Sequence, residues 1–402
     1  MQQLSRIRQK ILTIYKLLPE LLTKDTFCGK MYLKVHCAVL SLPNGGFFMK
    51  RTTIVLLLLV TAMLMSACAV APTAKESIPT NLEKGNNYNA DMENVQNVTE
   101  SNAHVWPWED SNITLPEFAG PVTEPGSIKS LKIVVIGDAS ARDAWYFFPQ
   151  IAKEAGIDIK ITVLYSNGNK GDINTHYNAT STRYTQYENT GDGWVTVNTS
   201  VKQADVLKSE AWDYCVLNHS IADSGKANTL ALTNYVLRNA LTAMKSKSPN
   251  AKVLFMQTWA YEINSRNNLF NSFKNYNNDQ QQMYADINSA IKSKVVTCSN
   301  LSKIAVNANK DGVIPVGTAV QNMREAYWSD GLTRDGEYLS NTGKVLAAVT
   351  LFKCITGYDI NDMELSDPVF DHARPHLGVI KESANNAYLN PYAVTPSVYH
   401  MG

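Results

Sequence analysis

The sequence predicts an α/β domain of three layers, with a central parallel sheet covered by helices on both faces. Three observations carry that expectation. From residue 131 onward, apolar β-forming runs alternate with helical periodicity, the pattern of a sheet buried on both sides. The first run, Ile133-Val134-Val135-Ile136, passes into Gly137-Asp138 and then into a helical pattern, as a buried strand, a turn and a helix would. Polar residues gather just past successive strands, where open α/β sheets place their ligands.

Taken in order, strands are expected at 131–136, 159–164, 214–217, 253–256 and, more briefly, 313–316. Helices are expected at 141–155, 201–208, 229–247, 279–293, 319–328 and 342–356. The segment from Tyr184 to Val197 alternates with period two across Thr190-Gly191-Asp192-Gly193, so it reads as an inserted β-hairpin. The stretch 361–402 shows few periodic cues and reads as a tail wrapping the surface.

The chain has 402 residues, 45% of them hydrophobic, enough for one large core or two smaller ones. A net charge of +1 gives no reason to expect nucleic-acid binding. Glycine-rich phosphate loops, internal repeats and zinc-type Cys/His spacing are not evident, so neither a cofactor nor a metal is expected.

The N-terminus carries processing signals. Met49-Lys50-Arg51 precedes the apolar run from Ile54 to Met65, followed by Ser66-Ala67-Cys68. A positive segment, an apolar segment and small residues before a cysteine resemble a bacterial lipoprotein signal. The run is shorter than the roughly 20 residues a membrane span needs. The resemblance implies cleavage before Cys68 and lipidation there, with 49–67 as signal peptide and 1–48 as a non-native extension upstream of a start at Met49. Ala69 lacks the aspartate associated with inner-membrane retention, which points to the outer membrane of a bacterial envelope. Residues 68–130 are rich in Asn, Thr, Glu and Pro and read as a tether. Its apolar knot, Val105-Trp106-Pro107-Trp108, is expected to dock on the domain. Beyond Cys68, the mature chain holds Cys215, Cys298 and Cys354. Three cysteines make no closed disulfide set, so packing must hold the fold.

The strand ends carry the chemistry. They read Gly137-Asp138-Ala139-Ser140, Asn167-Gly168, Asn218-His219-Ser220 and Gln257-Thr258-Trp259-Ala260-Tyr261, with Thr333-Arg334-Asp335-Gly336-Glu337-Tyr338-Leu339 near the C-terminus. In this order they resemble the SGNH (GDSL-type) hydrolases, and within them a bacterial branch known only as a domain of unknown function. That branch has Gly-Asn-Ser-Phe-Ser in its first block and Thr-Arg-Asp-Gly-Tyr-His-Leu in its last. The resemblance spans residues 131–358, inside an expected domain at 131–360, and is most specific at Gln257 to Tyr261, Ile314 to Asn322 and Thr333 to Gly336.

The resemblance implies an acyl-transfer site: a serine attacks, a histidine three residues after an aspartate takes its proton, and amide donors hold the oxyanion. In this chain the nucleophile position holds Ala139 and the base position holds Tyr338. A phenol, with an ordinary pKa of about 10, is a poor general base at neutral pH. Asp335 has no imidazole to orient, while Gly168 and Asn218 remain as parts of an anion hole.

Ser140 is a shifted nucleophile in one reading, with His219 as its base. In the other, Ser140 caps the helix and His219 is a hydrogen-bonded histidine lining a cleft. His176 reads as a loop brace, and His372 and His376 have no metal-like spacing. Gln257, Trp259 and Tyr261 suit stacking on a sugar and bonding its hydroxyls; alternatively, Trp259 and Tyr261 pack the sheet rim. Arg324 and Arg334 read as braces, Arg334 pairing with a local carboxylate.

The expectation is therefore a lipid-anchored protein with an SGNH-hydrolase-like domain that has lost its triad and binds a glycan or acylated carbohydrate. The alternatives are an active carbohydrate esterase using Ser140 and His219, and an envelope scaffold.

Overall fold

The computed structural model describes residues 123, 124, 126–166, 173–178, 181–263, 265, 276, 279–304, 306–326 and 331–399. The expected start at Met49, the signal, Cys68, the tryptophan knot and Gly168 lie outside the described residues. The last stretch before the first strand is already docked: Thr123 N–H donates to Gly357 O at 2.9 Å, and Gly126 N–H to the Tyr358 hydroxyl at 2.9 Å.

Seven strands form one sheet: β1 Ser130–Gly137, β2 Asp158–Ser166, β3 Tyr184–Asn189, β4 Val195–Val201, β5 Tyr214–Asn218, β6 Lys252–Met256 and β7 Val313–Ile314. Their order is β4-β3-β2-β1-β5-β6-β7. β2, β1, β5, β6 and β7 run parallel, whereas β3 and β4 pair antiparallel. The expected hairpin is thus real but is not a separate insertion; it extends the main sheet beyond β2. β1 lies between β2 and β5, and Ile133, Val134, Val135 and Ile136 have essentially no exposure, which is why this run carries no polar alternation.

Nine helices are described: α1 Ala139–Trp145, α2 Phe148–Glu154, α3 Ile173–Tyr177, α4 Gln203–Ser209, α5 Leu230–Met244, α6 Gln280–Thr297, α7 Val316–Ala326, α8 Asn341–Thr356 and α9 Leu377–Leu389. α1, α2, α7, α8 and α9 pack as one group, and α3, α4, α5 and α6 as the other, giving the outer layers. Among the described residues no helix is long and apolar enough to cross a membrane. Cys215, Cys298 and Cys354 are buried free thiols.

Three expectations need correction. The single helix at 141–155 is two, because Pro149 falls in the first turn of α2 and has no N–H to continue the preceding ladder. The last strand stops at Ile314, since Pro315 cannot donate to the ladder and Val316 opens α7. The tail is not merely a wrapping: α9 buries Val379, Ile380, Ala384, Ala387 and Tyr388 against α7 and α8.

α7 closes tightly onto the end of β6. Gly317 N–H donates to Gln257 O at 3.2 Å, and a Cβ on Gly317 would lie 2.0 Å from Thr258 O. Gly317→Ala should therefore lower unfolding free energy by about 1–3 kcal/mol through overpacking, read as a shifted urea midpoint. A change within about 0.5 kcal/mol, the range of neutral surface substitutions, would show that this approach can relax.

Candidate functional site

The chain runs from β1 to β2 on one side and later returns to β5 on the other, so the carboxyl ends of β1 and β5 flank a topological switch point, where such sheets hold ligands. At the end of β1, Asp138 is the N-cap of α1 and has extended backbone angles (φ −121°, ψ −153°). Its Oδ1 accepts from Ser140 N–H at 2.9 Å and from the Ser140 hydroxyl at 2.5 Å. The expectation that Ser140 caps the helix is corrected: Asp138 does so, and Ser140 supplies the donors. From the end of β5, Asn218 Nδ2 donates to Ser140 Oγ at 2.7 Å and to His219 O at 2.8 Å. Gly137 permits this approach, since a Cβ there would lie 3.0 Å from Asn218 Cβ. Ser140 has no exposure and Ala139 only 5%. Burial pushes the Asp138 carboxyl up to about 6, against the Ser140 and Ala141 hydrogen bonds that lower it.

The second half of the site is the loop bracketed by the Thr333–Leu339 bridge. Asp335 Oδ1 accepts from Glu337 N–H at 3.0 Å and from Tyr338 N–H at 2.7 Å, so this carboxylate shapes its own loop. Gly336 has φ +85°, and a Cβ there would lie 2.0 Å from Ser265 Oγ, so only glycine fits the turn. Glu262 N–H donates to Gly336 O at 2.9 Å, and Trp259 Nε1–H to Glu337 O at 2.7 Å. The half-buried Glu337 carboxyl is pushed up to about 7, first by burial and then by Asp335 and Asp138, against hydrogen bonds from Tyr338 and Tyr261.

Asp143 on α1 joins the two halves. Its Oδ2 accepts from Arg334 Nη1 at 2.8 Å and from Leu339 N–H at 3.1 Å, and Lys344 Nζ lies 3.6 Å from Oδ1. Arg334 is thus the brace that its neighbourhood suggested, although its partner is distant in sequence.

The Ser140–His219 pairing does not form. Ser140 Oγ bonds to Asp138 and Asn218, while His219 Nε2 lies 3.2 Å from Thr233 Oγ1. His219 is fully buried edge-on to Phe255, and burial, Lys294 and His176 hold its pKa well below the ordinary value. Gln257 is also spoken for: its Nε2 donates to Asn288 Oδ1 at 2.7 Å and its Oε1 accepts from Thr318 N–H at 2.9 Å. Trp259 is 0% and Tyr261 1% exposed, so neither ring offers a face to a sugar. The rim-packing alternative describes Trp259 and Tyr261. His176 Nδ1 lies 3.2 Å from the Tyr184 hydroxyl, and Arg324 Nη1 donates to Ala260 O at 3.0 Å, both internal braces.

Four contributors carry no role in the sequence analysis: Asp138, Asp143, Glu337 and Arg142, whose guanidinium lies 4.1 Å from the Tyr187 ring centroid and 5.5 Å from that of Tyr165. The one available signal was the i, i+5 spacing of Asp138 and Asp143 around a strand-to-helix turn.

A carboxyl whose pKa is raised by folding retains its proton better in the folded state. That stability is full below about 4 and disappears as pH rises through about 6 for Asp138 and about 7 for Glu337. Asp138→Asn, which keeps a capping side chain, should remove on the order of 2–3 kcal/mol of the fall in wild-type stability between pH 4 and 7. Parallel denaturation curves for the two proteins across that range would contradict the assignment.

Comparison with known proteins fits this architecture. A structural match is a DUF4886 family protein from Bacteroides uniformis, at 24% identity and a TM-score of 0.57, covering 68% of this chain and all of that one. Another is a candidate SGNH hydrolase from Slackia heliotrinireducens, at 18% identity and a TM-score of 0.38, covering 57% of this chain and all of that one. The first speaks to the fold alone and the second adds nothing to it. No curated protein matches the chain. Residues 132–372, more than half of the chain, match the family described as Domain of unknown function (DUF4886), and the chain belongs to that family.

Proposed function

We propose that this chain is a lipid-anchored protein of the bacterial envelope whose SGNH-hydrolase-like domain binds a glycan or acylated carbohydrate without hydrolysing it. One observation carries the reading: the strand-end position holds Ala139, and the adjacent Ser140 hydroxyl is fully buried between Asp138 and Asn218. Covalent attack needs an exposed hydroxyl and a base that takes its proton. Asp335, which would orient a histidine, instead accepts backbone N–H groups.

The order of the blocks along the sequence supports the SGNH kinship, and the Met49-to-Cys68 pattern supports the anchor. With Trp259 and Tyr261 buried, the ligand-facing role passes to the half-buried Tyr338, Tyr165 and Arg142 around the carboxyl ends of β1 and β2. Half-buried phenols with a guanidinium over each ring, Arg334 over Tyr338 and Arg142 over Tyr165, offer polar edges to sugar hydroxyls.

An esterase is the rival reading, and the 2.5 Å contact from the Ser140 hydroxyl to Asp138 favours it, because a carboxylate can act as base. Its base would then be Asp138 and not His219. A panel of p-nitrophenyl esters and a fluorophosphonate probe separate the two. No turnover above buffer and no labelling are expected, in wild type and Ser140→Ala alike. Hydrolysis that Ser140→Ala abolishes would establish the esterase. A glycan array should give hits that Tyr338→Ala weakens; an array without hits would favour the envelope scaffold.

A further inference from the structure

The Asp143 junction uses Arg334 and Lys344 and leaves another cation of α1, Arg142, without a counter-ion. The Arg142 guanidinium carbon lies 4.1 Å from the Tyr187 ring centroid and 5.5 Å from that of Tyr165. The two rings are themselves 6.0 Å apart and steeply inclined, at 73°. The sheet places them so: Tyr187 on β3 pairs with Val163 on β2, two residues before Tyr165, which puts both phenols on one face. Tyr165 in turn pairs with Gly137, the last residue of β1. One guanidinium and two phenols therefore meet beside the carboxyl ends of β1 and β2.

Among the described residues Arg142 makes no hydrogen bond and no ion pair; its contacts are the two rings. Arg183, Arg324, Arg334 and Arg374 all donate to carbonyls or carboxylates. Arg238 does not, but it is exposed to water, whereas Arg142 is half-buried. A guanidinium carries five N–H donors in its plane, and drawing them from water without an acceptor is costly. The rings attract its charge and occupy its face, while the donors at its edge stay open. Stacking on Tyr187 also fixes the group before a ligand arrives, so less freedom is lost on binding. The neighbouring acids are turned elsewhere, Asp143 to Arg334 and Lys344, and Asp138 to Ser140.

We propose that Arg142, held on Tyr187 and bordered by Tyr165, is a subsite for the carboxylate of an acidic sugar. The inference rests on the carbohydrate reading above and names its ligand class. A carboxylate matches the planar fork of a guanidinium with two oxygens and its single positive charge with a single negative one. A phosphate ester brings a charge of about −1.5 to −2. Lys344 does not serve the excess, because it lies 3.6 Å from Asp143 Oδ1 and 4.8 Å from the Tyr146 ring centroid.

The test is calorimetric titration of the full chain in detergent with glucuronic acid, glucose, glucose 6-phosphate and acetate at neutral pH. Glucuronic acid should bind at least about tenfold more tightly than glucose, as expected for a charge-assisted contact. That margin should shrink as salt rises from about 0.05 to about 0.5 M, because a half-exposed charge pair is screened. Arg142→Gln should erase the preference while circular dichroism stays native. Should that variant misfold, Arg142→Lys, which keeps the charge without the fork, should narrow the margin. Equal binding of glucuronic acid and glucose by the wild type would overturn the subsite and leave the carbohydrate reading standing. So would an equal loss of both sugars in Arg142→Gln, the mark of a merely structural arginine. Glucose 6-phosphate binding more tightly than glucuronic acid would overturn the carboxylate, and acetate binding as tightly would overturn the sugar. Binding of none of the four would overturn this proposal and the carbohydrate reading together.

Discussion

The carboxylate of Asp143 joins the end of β1 to a loop nearly two hundred residues later, and the rest of the site depends on that junction. It receives Arg334, Leu339 N–H and the more distant Lys344. Burial raises its pKa, while Lys344 and Arg334 pull it down. Only Asp143 is buried, Arg334 reaching it from the surface, so removing the guanidinium would leave a buried carboxylate with the more distant Lys344 as its remaining cation. Arg334 also reaches Leu339 O at 2.6 Å, so a single guanidinium fixes both the carboxylate and the last residue of the loop. The clamp thereby fixes the ends of the loop that carries Glu337 and Tyr338.

Within that frame, the first turn has been put to a structural purpose. The hydroxyl of Ser140 links two elements, donating to Asp138 at the helix cap and accepting from Asn218 at the end of β5. Such a bridge satisfies three buried polar groups at once. Exposing the hydroxyl for attack would break both contacts and leave Asp138 and Asn218 short of partners, each at a cost of about 1–3 kcal/mol. The turn is therefore better built to stay closed than to react.

Much of the fold was legible because period-two and period-3.6 patterns report burial directly. β1, β2, β5 and β6 fall on their apolar runs, and α8 falls on 341–356 between a Ser340 cap and Gly357 in the left-handed region. α9 was missed although 380, 384, 387 and 388 follow helical spacing, because Glu382, Asn385 and Asn386 are buried among them and blur the contrast between faces. Glu382 is satisfied by Val398 N–H and the Ser397 hydroxyl, partners that no local pattern announces. At the site, sequence located the strand ends and the loop but misjudged what faces outward. Trp259 and Tyr261 follow a strand closely, yet whether an aromatic ring covers the rim or lines a cleft depends on the segment packed over it. That segment includes Glu337, whose carbonyl accepts from Trp259.

The loop's geometry also explains how the fold can persist without an imidazole at position 338. Asp335 holds the turn through the backbone N–H groups of Glu337 and Tyr338, donors that every residue except proline supplies. Arg334 N–H to Tyr338 O, at 2.9 Å, is likewise a backbone contact. These backbone contacts do not depend on which side chain stands at 337 or 338. The Tyr338 phenol hydrogen-bonds the Glu337 carboxyl, whose charge burial disfavours. A loop held by its backbone keeps its shape whatever side chain it presents, which is why family membership fixes the shape of this chain far more firmly than its reaction.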